Sequence, residues 1–450
     1  MVGFSCGVDP RLQRRYWKLV AEHSAALKPL AAGLRALPGA GKAFASTQAM
    51  WRFLQNDRMK RTTLVQPLWN YAREFLEMER PEFVLVVHDW SQLHFRKHQD
   101  KEDRIDLPHD WNQGYELLTA LMVSAQDGRP IAPAVQALEA SDGVHGTYSS
   151  HIQPAQSHMD ALRPMMRAGE KAALGTRCVH VIDREGNAVF YMRQWAKQKR
   201  LFLVRSDYSR VVRHEGEEHN IRCVAQLLAR RGEFRYIRDV WYHGRRASQE
   251  VAETTVVLDR PAYQKRPKHG HMPLVRLRGK PLSLHLVVSR VFDEKHRLLA
   301  EWFLLTNVPE SVDDAMVALW YYWRWRIESY FKLLKSAGLQ MEEWQQATAE
   351  RILRRLLIAG MACVTVWQLS GDSSPAAAEA RLLLIRLSGR QMKRKRSFTE
   401  PALLAGLGVL LIVGRRAGTR YAATGCGGSS DLRGSLRRAT LGSHQRFAGP

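Results

Sequence analysis

The spacing of apolar and polar positions divides the chain into stretches of different period. Up to about residue 75 the pattern is helical, with Asp9–Pro10 as an N-cap followed by a first-turn proline and Ser46 as a candidate cap for TQAMWRFLQND. Continuous apolar runs from Phe83 to Val87 and from Cys178 to Ile182 predict short buried strands. Residues 112–138 read as a hairpin turning at Asp127–Gly128, and residues 155–173 as a helix ahead of the second buried strand. Between 234 and 300, FRYIRDVWYHGRR, QEVAETTVVLD, PLVRLRG and LSLHLVVSRVFD are strand-like runs separated by Gly, Pro and charged turns. Helical periodicity returns after residue 340 and lasts to about 413. There ERILRRLLIAGMACVTVWQL carries an apolar face, and FTEPALLAGLGVLLIVG is apolar nearly all round, so both must be buried in the chain or against a partner. The Gly/Ser/Arg-rich end reads as disordered. No internal repeat is present.

The stretch YYWRWRIESYFKLLKSAG, 321–338, has the most informative period. Turned by about 100° per residue from Tyr321, Arg324 falls at roughly 300°, Glu328 at roughly 340° and Lys335 at roughly 320°. Trp320, Trp323, Ile327, Tyr330, Phe331 and Leu334 fill the neighbouring arc, about 180–280°. Such a helix buries an aromatic stripe and presents, along its edge, one acid framed by cations and a phenol. A surface helix with an Arg324–Glu328 pair has this pattern. So does a helix whose acid holds a metal while its cations hold phosphates, and that use requires partner carboxylates elsewhere.

Charge narrows the choice. The chain has 450 residues, a formal net charge of +24 and a pI near 10.2, which favours a polyanionic partner, nucleic acid rather than membrane. The apolar run 402–414 is too short to span a bilayer, and the N-terminus lacks the pattern of a signal peptide. Cys6, Cys178, Cys223, Cys363 and Cys426 are scattered, with no C-x-x-C pair, which points to reduced thiols and away from zinc. Partner carboxylates are available. Asp89 closes the first buried strand, and Asp183 closes the second before the turn residues REGN.

With these residues in place, the chain resembles a family. Tyr321, Arg324, Glu328 and Lys335 look like the YREK signature of cut-and-paste DDE transposases of bacterial insertion sequences. DRE at Asp183–Glu185 and HDWSQLHFR around Asp89 resemble the blocks around that family's other two acids. AMWRFLQND, LFLVRSDY and EWFLLTNVP also have equivalents in the family, and the likeness runs from about residue 8 to about residue 365. The resemblance implies an α/β RNase H-like catalytic core carrying a β-rich insertion, here at about 234–300, because the span from Asp183 to Glu328 exceeds what a compact core needs. Helical regions would flank it: a DNA-binding domain over 1–75, the catalytic domain over 76–365, and a C-terminal region over 366–450 that serves dimerisation.

The function so implied is binding of an element's terminal repeats, cleavage by two-metal phosphoryl transfer through a DNA hairpin, and joining of the freed 3′-hydroxyl to target DNA. Asp89, Asp183 and Glu328 would hold two Mg²⁺ or Mn²⁺ ions roughly 3.5–4 Å apart. Tyr321, Arg324, Lys335 and Arg205 would grip phosphates, and Trp302 would stack on a base flipped during hairpin formation. Arg205 as a strand-end surface residue and Trp302 as a core residue are the plainer readings. Glu185 is expected to support the site rather than ligate metal. The protein would act as a homodimer on double-stranded DNA in the cytoplasm, associated with the nucleoid. A metal-dependent nuclease without strand transfer and an inactive DNA-binding remnant are the alternatives.

Overall fold

A computed structural model describes residues 8–25, 40–96, 98–108, 112–155, 157–265, 274–335, 338–392 and 397–410. The Gly/Ser/Arg-rich end lies outside the described residues. The chain divides into two compact units: 1–70 with 93–115 and 329–450, and 71–92 with 116–328.

The first unit is mostly helical. It contains α1 (Pro10–Ala25), α2 (Ala40–Gln55), α3 (Arg61–Leu64) and the start of α4 (Gln66–Glu79). Asp9 caps α1, its carboxylate accepting from Arg11 N at 2.7 Å, as the Asp–Pro pair predicts. Ser46 is not a cap: α2 already begins at Ala40 and runs through it, because the alanine-rich AGKAFAS continues the helix upstream.

The second unit is built on one large mixed sheet of β1 (Phe83–His94), β3 (Gln113–Ser124), β4 (Pro130–Ala140), β5 (Gly143–Gly146), β6 (Arg177–Ile182), β7 (Leu201–Ser206), β8 (Val211–His214), β9 (Glu217–Asn220), β10 (Arg235–Tyr242), β11 (Arg245–Leu258), β14 (Leu282–Phe292) and β15 (Leu298–Thr306). Three minor strands complete the chain order: β2 (Ile105–Asp106) pairs with the start of β3, and β12 (Ala262–Lys265) with β13 (Leu274–Leu277). The main order is β5-β4-β3-β1-β6-β7-β15-β14-β11-β8-β9, with β10 alongside β11. The predicted hairpin is β3–β4, turning at Gly128, whose φ of 70° suits glycine. β1, β6 and β7 are mutually parallel, and helix α5 (His158–Ala172) crosses between β4 and β6. The strands expected as an insertion do not stand apart. β15 pairs antiparallel with β7, β14 antiparallel with β15 and β11 antiparallel with β14, so all three continue the central sheet.

Helices α6 (Val189–Lys197) and α7 (Ile221–Arg230) precede α8 (Asp314–Trp323), which leads into α9 (Trp325–Leu334). The stretch predicted as one helix is therefore broken at Arg324. Arg324 N–H bonds the carbonyl of Tyr321 at 3.1 Å, and Ile327 N–H bonds that of Arg324, tight i→i+3 turns where an α-helix has i→i+4. The aromatic stripe is buried as predicted. In α8, Trp320 donates from Nε1 to the Ala125 carbonyl at 2.9 Å, and Trp323 lies against Gly128, where a Cβ would meet its ring at 2.5 Å. The β3–β4 turn is thereby locked to the helix that leads to Arg324.

Back in the helical unit, α10 (Ala349–Gly371) packs on α1, and α11 (Pro375–Ser388) follows. α10 is long and apolar enough to cross a membrane, yet 78% of that apolar window is buried inside the protein, as in a core helix. The apolar helix Glu400–Leu410 buries Ala402, Leu403 and Leu404, and its Gly406 sits against the Leu384 carbonyl of α11.

Candidate active site

The parallel ladder places the first acids. β1 and β6 pair through His88↔Ile182, and β6 and β7 pair through Ile182↔Val204. One residue beyond that shared rung stand Asp89, Asp183 and Arg205. Side chains past the C-terminal ends of parallel strands project into a crevice. The strand β1 does not end before Asp89, as its apolar run suggests. It continues to His94, but its side chains are only half-buried from Asp89 to Gln92. Asp183 caps the turn Arg184–Gly186, accepting from Arg184 N at 2.8 Å.

Tyr321, Arg324 and Glu328 come from α8, the break and α9 respectively. Arg324 is the centre of the group. Its Nη1 is 3.2 Å from Asp89 Oδ2, its Nη2 2.9 Å from Glu328 Oε1 and 3.4 Å from Asp183 Oδ2. Tyr321 donates from its hydroxyl to Asp183 Oδ1 at 3.2 Å, and Arg205 Nη1 lies 3.4 Å from both. The i,i+4 pair Arg324–Glu328 is present, but it is part of this larger cluster.

Electrostatics here reflect burial against charge. Burial raises Asp89, and Arg324 and the Trp90 N–H only partly offset this, leaving it at about 6. Burial and then Asp183 push Tyr321 up to about 12, so the phenol stays protonated and able to donate. Burial alone would lower Arg324, but the surrounding tyrosine and acids outweigh it and hold the guanidinium charged.

The remaining predicted residues divide. Trp302, on β15, is 5% exposed, its ring 5.7 Å from Tyr321 and 6.1 Å from Tyr242. As it stands Trp302 supports Tyr321 and has no face open to a base. It lies in the middle of its strand, which begins at Leu298. Lys335 follows the last residue of α9 and belongs to the helical unit, where its ammonium pairs with Glu342 at 3.7 Å. Glu185 is exposed and does not contact Arg324 directly. Although its surface reaches solvent, the surrounding protein partly desolvates its carboxylate, and with Asp183 reinforcing and His158 opposing this its pKa is raised.

Two features escape sequence reading. Behind the acids, His88 and His180 meet at 2.9 Å, and His180 reaches Glu170 at 3.3 Å, which also accepts from Arg200 at 2.6 Å. With His180 Nε2 donating to Glu170, its Nδ1 accepts from His88 Nε2, so both rings are neutral, in keeping with their lowered pKa values. This chain joins β1 to β6 one residue before Asp89. Beside the acids, His158 stacks on Trp90 with centroids 5.0 Å apart and bonds Glu116 at 2.5 Å. These partners lie 92 and 42 residues apart, and no local pattern announces them.

The donor set suits a hard divalent cation: three carboxylates already converge on one positive group. Among the described residues they are not gathered closely enough to cage a single ion, and the guanidinium between them is the spacer. Comparison with protein-family models and with curated proteins gave no match.

Proposed function

We propose that this chain is a DDE-type transposase, which cuts DNA at an element's terminal repeats and joins the freed 3′-hydroxyl to target DNA. The observation that carries this reading is the convergence of Asp89, Asp183 and Glu328, from two strand ends and a helix, on one cation. The order β4-β3-β1-β6-β7, an antiparallel hairpin beside three parallel strands, supports an RNase H-like core. The charge of +24 supports double-stranded DNA as partner, bound largely through its phosphates.

Two divalent cations, Mg²⁺ or Mn²⁺, held by Asp89, Asp183 and Glu328 would activate the attacking hydroxyl and stabilise the leaving oxygen. Tyr321 fixes the Asp183 carboxylate through its hydroxyl, and Arg205 sits where it can reach a phosphate beside that acid. The chain His88–His180–Glu170 fixes the strand pair that aims Asp89 and Asp183. Trp302 holds Tyr321 in place. A role for Lys335 at a phosphate, and for Trp302 against a flipped base, belongs to the DNA-bound state. A homodimer would bring two such sites to the two ends of an element. The exposed Leu382 and Leu383 of α11 offer an apolar surface for it. A cytoplasmic, nucleoid-associated location follows from such a partner.

The test is to incubate the protein with Mg²⁺ and DNA bearing the terminal repeats. Cut and joined products are expected. Cutting without joining would leave a metal-dependent nuclease, and no cutting an inactive DNA-binding remnant.

A further inference from the structure

Arg324 is 3% exposed, and its guanidinium is wholly committed to the acids. Yet the fit is poor. It meets each carboxylate through one oxygen, never as a bidentate fork, and its Nε is buried without a hydrogen-bond partner. Paired fork contacts are the stronger geometry for arginine, and a phosphate offers them. The group is thus held by net charge rather than by matched hydrogen bonds. The backbone at this residue is also the break between α8 and α9, where tight turns interrupt the helix.

Each exchange is unfavourable alone. A cation that enters among the acids leaves a buried guanidinium beside it with no anion. A phosphate that draws Arg324 away leaves Asp183 with Arg205, and Asp89 and Glu328 with no other ion pair among the described residues. Uncompensated buried charge is costly in both cases. Made together, the exchanges balance: metal takes the acids and phosphate takes the arginine.

We propose that Arg324 is a built-in counter-ion that occupies the three acids until divalent metal and a DNA phosphate arrive together, so that metal and DNA bind cooperatively. The inference rests on Asp89, Asp183 and Glu328 being metal ligands. It makes the free protein a poor metal binder and keeps the loaded site for occasions when DNA is present. By linkage the coupling is reciprocal: metal must tighten DNA binding by the same factor as DNA tightens metal binding.

The experiment is calorimetric titration of Mn²⁺ into the full-length protein, with and without a saturating duplex oligonucleotide, subtracting the DNA-alone blank. Wild type, Arg324→Gln and the double variant Asp89→Asn/Arg324→Gln are compared. Without DNA, Arg324→Gln should bind Mn²⁺ at least about tenfold more tightly than wild type, and DNA should tighten wild type by a similar factor while changing Arg324→Gln little. The double variant should lose this binding. Equal or weaker binding by Arg324→Gln, or a full DNA effect surviving in it, overturns the counter-ion role while leaving the ligands in place. Mn²⁺ binding that Asp89→Asn does not diminish overturns the ligand assignment as well. If Arg324→Gln does not fold, the wild-type titrations decide: no gain in Mn²⁺ affinity on adding DNA overturns the proposal.

Discussion

Two buried ion clusters, one in each unit, show what separates a structural pair from a site prepared for something else. In the helical unit Glu350 lies between two arginines. It pairs with Arg61 and accepts from Arg354 Nε at 2.7 Å, and Arg354 spends further donors on the carbonyls of Leu54 and Asn56, at 2.9 and 3.2 Å. Cations exceed acids there, and backbone oxygens take up the excess. In the sheet unit the balance is reversed. Arg324 and Arg205 face Asp89, Asp183 and Glu328, an arginine nitrogen has no partner, and burial pushes one acid up to about 6. The first cluster is complete as folded. The second has more acids than cations, and an added cation would balance them.

The difference is testable by removing one acid from each cluster. If the three acids are metal ligands as proposed, Asp89→Asn, Asp183→Asn or Glu328→Gln should lower DNA cleavage by at least about a thousandfold, while thermal unfolding shifts by no more than about 1 kcal/mol. DNA binding to the terminal repeats should stay within roughly tenfold of wild type, since phosphate contacts dominate it. Cleavage at the wild-type rate in any one variant removes that residue from the site. Glu350→Ala is expected to do the opposite. It takes from Arg61 and Arg354, 5% and 8% exposed, the carboxylate they share, and should cost about 3 kcal/mol of stability by denaturant titration. An unchanged midpoint would mean that the helical-unit cluster is not structural.

These two clusters were unequally legible in the sequence. Asp89 and Asp183 end apolar runs, so their place beyond buried strands could be read directly, and the 3.6-residue period put Tyr321, Arg324 and Glu328 on one edge. Arg324 at the centre of the acids could not be read, because which strands pair is decided by contacts between residues far apart in the chain. The same holds for Glu350 with Arg61, for His88 with His180, and for β15, β14 and β11 continuing the sheet. Local pattern also failed at boundaries. Helix-forming residues carried α2 upstream of Ser46, β1 ran on past Asp89, and the helix broke at Arg324 although no proline or glycine marks the place.

A smaller effect sharpens the comparison on the acid-rich side. His158 has its pKa raised, first by its hydrogen bond to Glu116 and then, against burial, by the charges of Glu116, Glu185 and Glu139. A histidine whose folded pKa lies above its unfolded value of 6.5 contributes stability fully below that value, and loses it as pH rises through the folded pKa. His158→Gln should therefore lower the melting temperature at pH about 6 and leave it unchanged at pH about 9. Equal losses at both pH values would mean that its stacking on Trp90, rather than its charge, matters.

The most direct measurement replaces Mg²⁺ with Fe²⁺ and, with ascorbate and peroxide, lets hydroxyl radicals cut the polypeptide where the metal sits. On the DNA-bound protein the cuts should cluster beside residues 89, 183 and 328, fade as Mg²⁺ is added back, and vanish in Asp89→Asn. Cuts that fall elsewhere in the chain, or that persist unchanged in Asp89→Asn, would contradict a metal centre on these three acids.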